Sequence, residues 1–147
     1  MPKIAVISVA HIHSRHFCEI ISKTTSGGAP VFIWDDNADR GAKYAADFKC
    51  RFEPDLDKAA AAPEVDAFVV CAENTRHLPL LKKLIPTGKP IMCEKPLATK
   101  SEEADEIFNL AQKHNTPIIC GYHLPFSGMG GSARKLLADE ALGKVTH

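Results

Sequence analysis

Glu94-Lys95-Pro96-Leu97 places a carboxylate, an ammonium and a proline directly after the apolar run Pro90-Ile91-Met92-Cys93. The polar stretch Ala98-Thr99-Lys100-Ser101-Glu102 follows it. Lys and Glu are rarely fully buried unless paired, so a Glu-Lys pair at the carboxyl end of a buried strand is hard to explain as packing. In open α/β sheets, ligands bind outside the carboxyl ends of the strands. Lys95, followed by a proline, is therefore a candidate for proton or hydride chemistry. Glu-Lys-Pro in isolation is a solvated loop pair, so its weight depends on what else the fold brings to the same rim.

The elements that would position it alternate between short apolar runs and longer amphipathic segments, the pattern of a parallel sheet with covering helices. Strands are predicted at Ile4 to Val9, Val31 to Trp34, Lys49 to Phe52, Ala67 to Cys71, Ile91 to Cys93 and Pro117 to Cys120. Helices are predicted at His13 to Lys23, Ala38 to Phe48 (Ala42, Ala45 and Phe48 inward), Asp55 to Ala62 and His77 to Ile85. Two more are predicted at Ser101 to His114, capped by Ser101, and at Ser132 to Leu142, the latter after a loop at Ser127-Gly128-Met129-Gly130-Gly131. Gly28 and Gly88 fall where helices should stop. The result is an α/β doubly wound (Rossmann) sheet of six mostly parallel strands with helices on both faces. Its ligand rim would collect Ser8 to His13, Asp35, Ala72 to His77, Glu94 to Pro96 and Gly121 to His123.

The turn after the first strand is where a dinucleotide fold carries G-x-G-x-x-G. Here it reads Ser8-Val9-Ala10-His11-Ile12-His13, with no glycine at any of the three positions. Those glycines serve the tight turn, the close approach to pyrophosphate and the helix-strand contact. Ala10 adds one methyl group. Ser8 suits the site if its dihedrals stay ordinary, and its hydroxyl could donate to a phosphate. His13 puts a ring at the close-packed position and could instead point outward over the phosphate. Asp35 ends the second strand at about the 20-residue spacing expected of the ribose-binding acid. Asp36 beside it would repel a 2′-phosphate, which favours NAD over NADP. The plain alternative is that both acids open a turn before Asn37.

Composition narrows the partners. The 147 residues suit a single domain, with 45% hydrophobic and 24% charged residues. Eighteen basic residues balance eighteen acidic ones, so neither nucleic acid nor an anionic membrane is an expected partner. Five cysteines without C-x-x-C spacing suit a reducing, cytoplasmic setting. No signal peptide or membrane-spanning stretch is evident.

From Lys3-Ile4-Ala5-Val6 to Leu142-Gly143-Lys144-Val145 the chain resembles the N-terminal half of the glucose–fructose oxidoreductase / inositol dehydrogenase (Gfo/Idh/MocA) family. The specific part is Gly88-Lys89 followed, after four residues, by Glu94-Lys95-Pro96. Asp35 and Asn74-Thr75-Arg76-His77 support it, and Ala10-His11-Ile12-His13 is similar to a variant phosphate loop. The resemblance implies NAD(P)-dependent oxidation or reduction of a sugar, cyclitol or related polyol. It implies that Lys95 hydrogen-bonds the reacting hydroxyl, that Glu94 orients the loop and cofactor, and that Pro96 follows a cis peptide. It also implies that Asn74 and His77 lie along the nicotinamide and that His123 lies at the inter-domain cleft. The expected catalytic residues are thus Lys95 and His123. The expected cofactor contacts are Ser8, Ala10, His11, Ile12, His13, Asp35, Asn74, His77, Glu94 and Lys95.

Residues 1–147 would be the dinucleotide domain, with a substrate domain beginning near residue 145 in family members. That domain is missing here, so the expectation is weak dinucleotide binding and no turnover by the isolated chain. Leu136, Leu137 and Leu142 would be left partly exposed, which suggests a homo-oligomer. Two other readings remain. One is a non-catalytic nucleotide-binding or sensor module. The other is a fragment of a metal-dependent hydrolase built on His11, His13 and His16 with help from His77 and His123, for which no carboxylate stands in an evident partner position.

Overall fold

The computed structural model describes residues 2–24, 28–123, 127–139, 141 and 143. Six strands form one sheet: β1 (Ile4–Ile7), β2 (Phe32–Trp34), β3 (Arg51–Phe52), β4 (Ala67–Val70), β5 (Ile91–Cys93) and β6 (Ile118–Cys120). Their order is β3-β2-β1-β4-β5-β6 and every pairing is parallel. The order reverses direction at β1/β4, the switch point that gives a doubly wound sheet its ligand crevice.

Helices α1 (Ser14–Thr24), α2 (Ala38–Asp47), α3 (Leu56–Ala61), α4 (His77–Leu84) and α5 (Ser101–Lys113) supply the crossovers. Strand residues alternate between the two helical layers. Ala5, Ile7, Phe32, Trp34, Phe68 and Val70 pack in one core with residues of α3, α4 and α5. Val6, Ile33 and Val69 pack in the other with Cys18 and Ile21 of α1 and Ala45 of α2. Burial on both faces explains why these strands read as nearly continuous apolar runs.

Local chemistry sets most boundaries. Asp55 caps α3, its carboxylate accepting from the N–H groups of Asp57 and Lys58. Past α4 a 3-10 turn over Ile85–Thr87 ends at Gly88, whose φ of 72° is left-handed. At α5 the cap differs from expectation. Ser101 is the first helical residue, and the end is closed by Glu103, which accepts from both the N–H and the hydroxyl of Thr99. In α2 the inward residues are Gly41 and Ala45, and Ala42 is exposed. A Cβ on Gly41 would collide with the Phe52 ring and the Asp35 Cβ, so this glycine lets α2 sit close against β2 and β3.

The last helix, α6 (Gly128–Ala138), departs most from the expected boundaries. The stretch expected as a loop forms its first turn, because the Ser127 hydroxyl caps it by accepting from the Gly130 N–H at 3.1 Å. None of its residues is buried. Leu136 and Leu137 are about half exposed (44% and 49%). Leu142, the expected helix end, and Val145, the expected onset of a second domain, lie outside the described residues.

Candidate functional site

Following β1, Ser8 holds a left-handed φ of 66°. The condition of ordinary dihedrals is therefore not met: the tight turn demands the glycine conformation, and a serine supplies it against its steric preference. Its hydroxyl does not face an open cradle either. Ser8 is buried, its Oγ lies 3.2 Å from Asp35 Oδ2, and it accepts from the Ala10 N–H at 3.3 Å. The turn that glycine makes by backbone freedom is here tied down by a side chain.

Asp35 is the hub of this half of the rim. Its carboxylate accepts from the Val9 N–H (2.7 Å), the Asn37 N–H (2.8 Å), the Ser8 hydroxyl and the Arg40 guanidinium, the last at 2.8 Å from Nη2. Burial works against its ionisation, but the Arg40 hydrogen bonds and the two backbone N–H groups outweigh it and hold the carboxyl below the usual range. The expected ribose acid is thus already engaged. Asp36 is the more accessible acid, paired with Arg40 at 3.0 Å and Arg76 at 2.5 Å.

In the turn after β1, His11 N–H donates to the Cys71 carbonyl at 2.9 Å and His13 N–H to His11 Nδ1 at 3.3 Å. Ile12 N–H has no partner among the described residues, and the Ile12 side chain is 85% exposed. That N–H stands just before α1, where an anion is favoured by the open amides and the helix dipole. His13 does not fold into the close-packed position. Its ring turns to the rim, with Nδ1 3.2 Å from Glu94 Oε1, and meets His11 edge to face at a centroid distance of 4.8 Å. Burial, the largest effect on His11, lowers the pKa of that ring.

At the end of β5, Glu94 is buried and Lys95 only partly so, with Lys95 Nζ 3.9 Å from Glu94 Oε1. The Lys95–Pro96 peptide is cis. A Cβ on Gly121 would lie 3.3 Å from Glu94 Oε2 and 3.3 Å from the Cys93 carbonyl, so the lack of a side chain there leaves room for the Glu94 carboxylate. His77 is fully buried, with Nδ1 2.9 Å from the Pro96 carbonyl and Nε2 3.2 Å from the Ala72 carbonyl. It clamps the β4 and β5 end loops together from beneath the rim. Asn74 is exposed at the start of a 3-10 turn after β4.

Between α1 and the β5–β6 end of the sheet lies an open cleft of about 670 Å³. Phe17, Ile20, Met92 and Ile119 give it apolar walls, and His13, Glu94 and His123 line it too. The structure thus brings His11, His13, Glu94, Lys95 and His123 around one end of the rim, with Ser8, Asp35 and Asn74 on the remainder. Burial raises the thiols of Cys71, Cys93 and Cys120, so none is an activated nucleophile. Residue types alone missed Arg40, the principal partner of Asp35. Its place five residues on, in the first turn of α2, was the available signal.

A profile described as "Oxidoreductase family, NAD-binding Rossmann fold" matches residues 3–122. An inositol 2-dehydrogenase of Corynebacterium glutamicum is 30% identical over 145 residues, which is 97% of this chain and 43% of that protein. A 2,7-anhydro-N-acetylneuraminate hydratase of Mediterraneibacter gnavus is 29% identical over 127 residues, 86% of this chain and 33% of that protein. Among solved structures, myo-inositol dehydrogenase from Lactobacillus casei in complex with NAD(H) and myo-inositol superposes with a TM-score of 0.87 at 23% identity. That match covers 97% of this chain and 43% of that one. The chain thus spans between about a third and 43% of the relatives it matches.

Proposed function

The chain belongs to the oxidoreductase family with an NAD-binding Rossmann fold, and we propose that it is the dinucleotide-binding part of a dehydrogenase acting at a CH–OH group of a sugar or cyclitol. The observation that carries this reading is one rim of a parallel sheet holding both a dinucleotide turn and the Glu94-Lys95-Pro96 segment. The relatives, an inositol dehydrogenase among them, support the substrate class.

The residues fit the cofactor on three counts. Ser8 already holds the left-handed turn, Ala10 is small, and Ile12, exposed just ahead of α1, has an N–H without a partner among the described residues. Asp35 can share a ribose hydroxyl if Arg40 swings out to solvent. Asp36 disfavours a 2′-phosphate, so NAD is preferred to NADP. NAD supplies the hydride chemistry when bound; the protein contributes position and proton handling. Lys95 would donate a hydrogen bond to the reacting oxygen, Glu94 would hold Lys95 and the loop in place, and His123 would face the substrate across the cleft. Asn74 would lie beside the nicotinamide.

The substrate pocket needs more chain than these residues supply, so the 147-residue chain alone is proposed to bind NADH without turnover. Two-dimensional amide NMR tests the reading. NADH should shift Ile12, His13 and Asn37 and leave α5 unmoved, whereas shifts scattered over the surface, or none at millimolar NADH, would overturn it.

A further inference from the structure

We propose that His11, His13 and Glu94 form a binding site for a divalent transition-metal ion of the zinc class. One nitrogen of each ring and one carboxylate oxygen lie within 4.8 Å of one another. His13 Nδ1 and Glu94 Oε1 are already 3.2 Å apart. Metal–ligand bonds of about 2.0–2.1 Å at tetrahedral angles set such ligand atoms about 3.3 Å apart, so this edge of the site is at ligand spacing. His11 closes the other two edges by a side-chain rotation. What holds it now is the weak 3.3 Å bond from the His13 N–H, which ligation would replace.

The carboxylate absent from the sequence-level histidine reading is therefore Glu94, brought in from 81 residues away. Its backbone is fixed by the Glu94 N–H bond to the Val70 carbonyl at 2.9 Å, so one ligand is rigid while the two imidazoles stand on the adjustable turn. His16, the third histidine of the alternative metal-hydrolase reading, is not part of the cluster. Two imidazoles and one carboxylate suit zinc, cobalt or iron(II) rather than magnesium or calcium. Three protein ligands leave at least one coordination position for a water or substrate oxygen from the adjoining cleft. Lys95, 3.9 Å from the same carboxylate, is partly exposed and can turn away from a bound cation.

Cobalt(II) titration of the metal-free 147-residue chain, followed by visible absorption and without any dinucleotide, tests the site independently of NAD binding. The expected result is saturation near one equivalent, with d–d bands and no sulfur-to-cobalt charge-transfer band, and displacement by zinc. Binding should weaken about tenfold or more in His13→Ala, in His11→Ala and in Glu94→Gln. The two histidines stand on the turn at the rim, so their variants report even where Glu94→Gln disturbs the fold. The site is overturned by absence of the bands at millimolar cobalt, by a thiolate charge-transfer band, or by a folded His13→Ala chain that binds as the parent does.

Discussion

The two halves of the ligand rim are built on opposite plans. At β1 and β2 the polar groups satisfy one another: Ser8, Val9, Asn37 and Arg40 all converge on Asp35, which is 2% exposed. At β5 and β6 Glu94 is engaged, 3.2 Å from His13, while Lys95 and His123 stand apart around a cleft. Lys95 is partly exposed and 3.9 Å from its nearest carboxylate oxygen, and His123 is exposed. The first half is held together by its own hydrogen bonds, so changes there should act on stability and cofactor affinity together. In the second, Lys95 and His123 reach toward solvent, and changes at those two residues should leave the fold alone.

The largest contrast is expected from Asp35→Ala. It strips the hub of a buried network and should cost about 2–4 kcal/mol, read as a lower urea midpoint with little change in slope. Gly41→Ala attacks the same half through packing and should cost about 1–3 kcal/mol, since the added methyl meets the Phe52 ring and Asp35. At Ser8 the backbone conformation is the issue: Ser8→Gly should be more stable than Ser8→Ala by about 1 kcal/mol, by the same measurement. Lys95→Ala closes the series, with a change within about 0.5 kcal/mol. A large loss there would break the contrast between the halves.

Acid sharpens it further. The folded carboxyl of Asp35 titrates below its ordinary value of about 3.9, so its contribution to stability is complete above that value and is lost as pH falls through the folded pKa. The stability gap between the parent chain and Asp35→Asn should hold near neutral pH and shrink below about pH 4, as followed by urea unfolding across pH.

The six parallel strands and the rim positions of Lys95 and Asp35 were legible because they follow from apolar runs and crossover rules, and the cis Lys95–Pro96 peptide was legible through the family resemblance. What was not legible depends on approach between distant residues or on side chains overriding propensity. Ser8 takes a glycine-like φ because the turn requires it. Gly128 to Gly131 read as loop by propensity, yet one serine cap turns them into helix. Glu94 and His13 meet only because β5 and the turn after β1 end at the same rim. The burial of His77 between the Pro96 and Ala72 carbonyls depends on the β4 and β5 end loops meeting, which no local pattern announces. Ile119, Tyr122 and, in α6, Met129 are more than half exposed, and such exposed apolar side chains should drive self-association as concentration rises. Light scattering checks this, and a constant monomer mass would count against it.

The most direct test of the account is calorimetric titration of the 147-residue chain with NADH, with NADPH alongside. Saturable binding of NADH, weaker for NADPH and weakened by Asp35→Asn in a chain shown to be folded, is the expected result. Failure to bind NADH, or tighter binding of NADPH, would contradict the assignment of this rim to NAD.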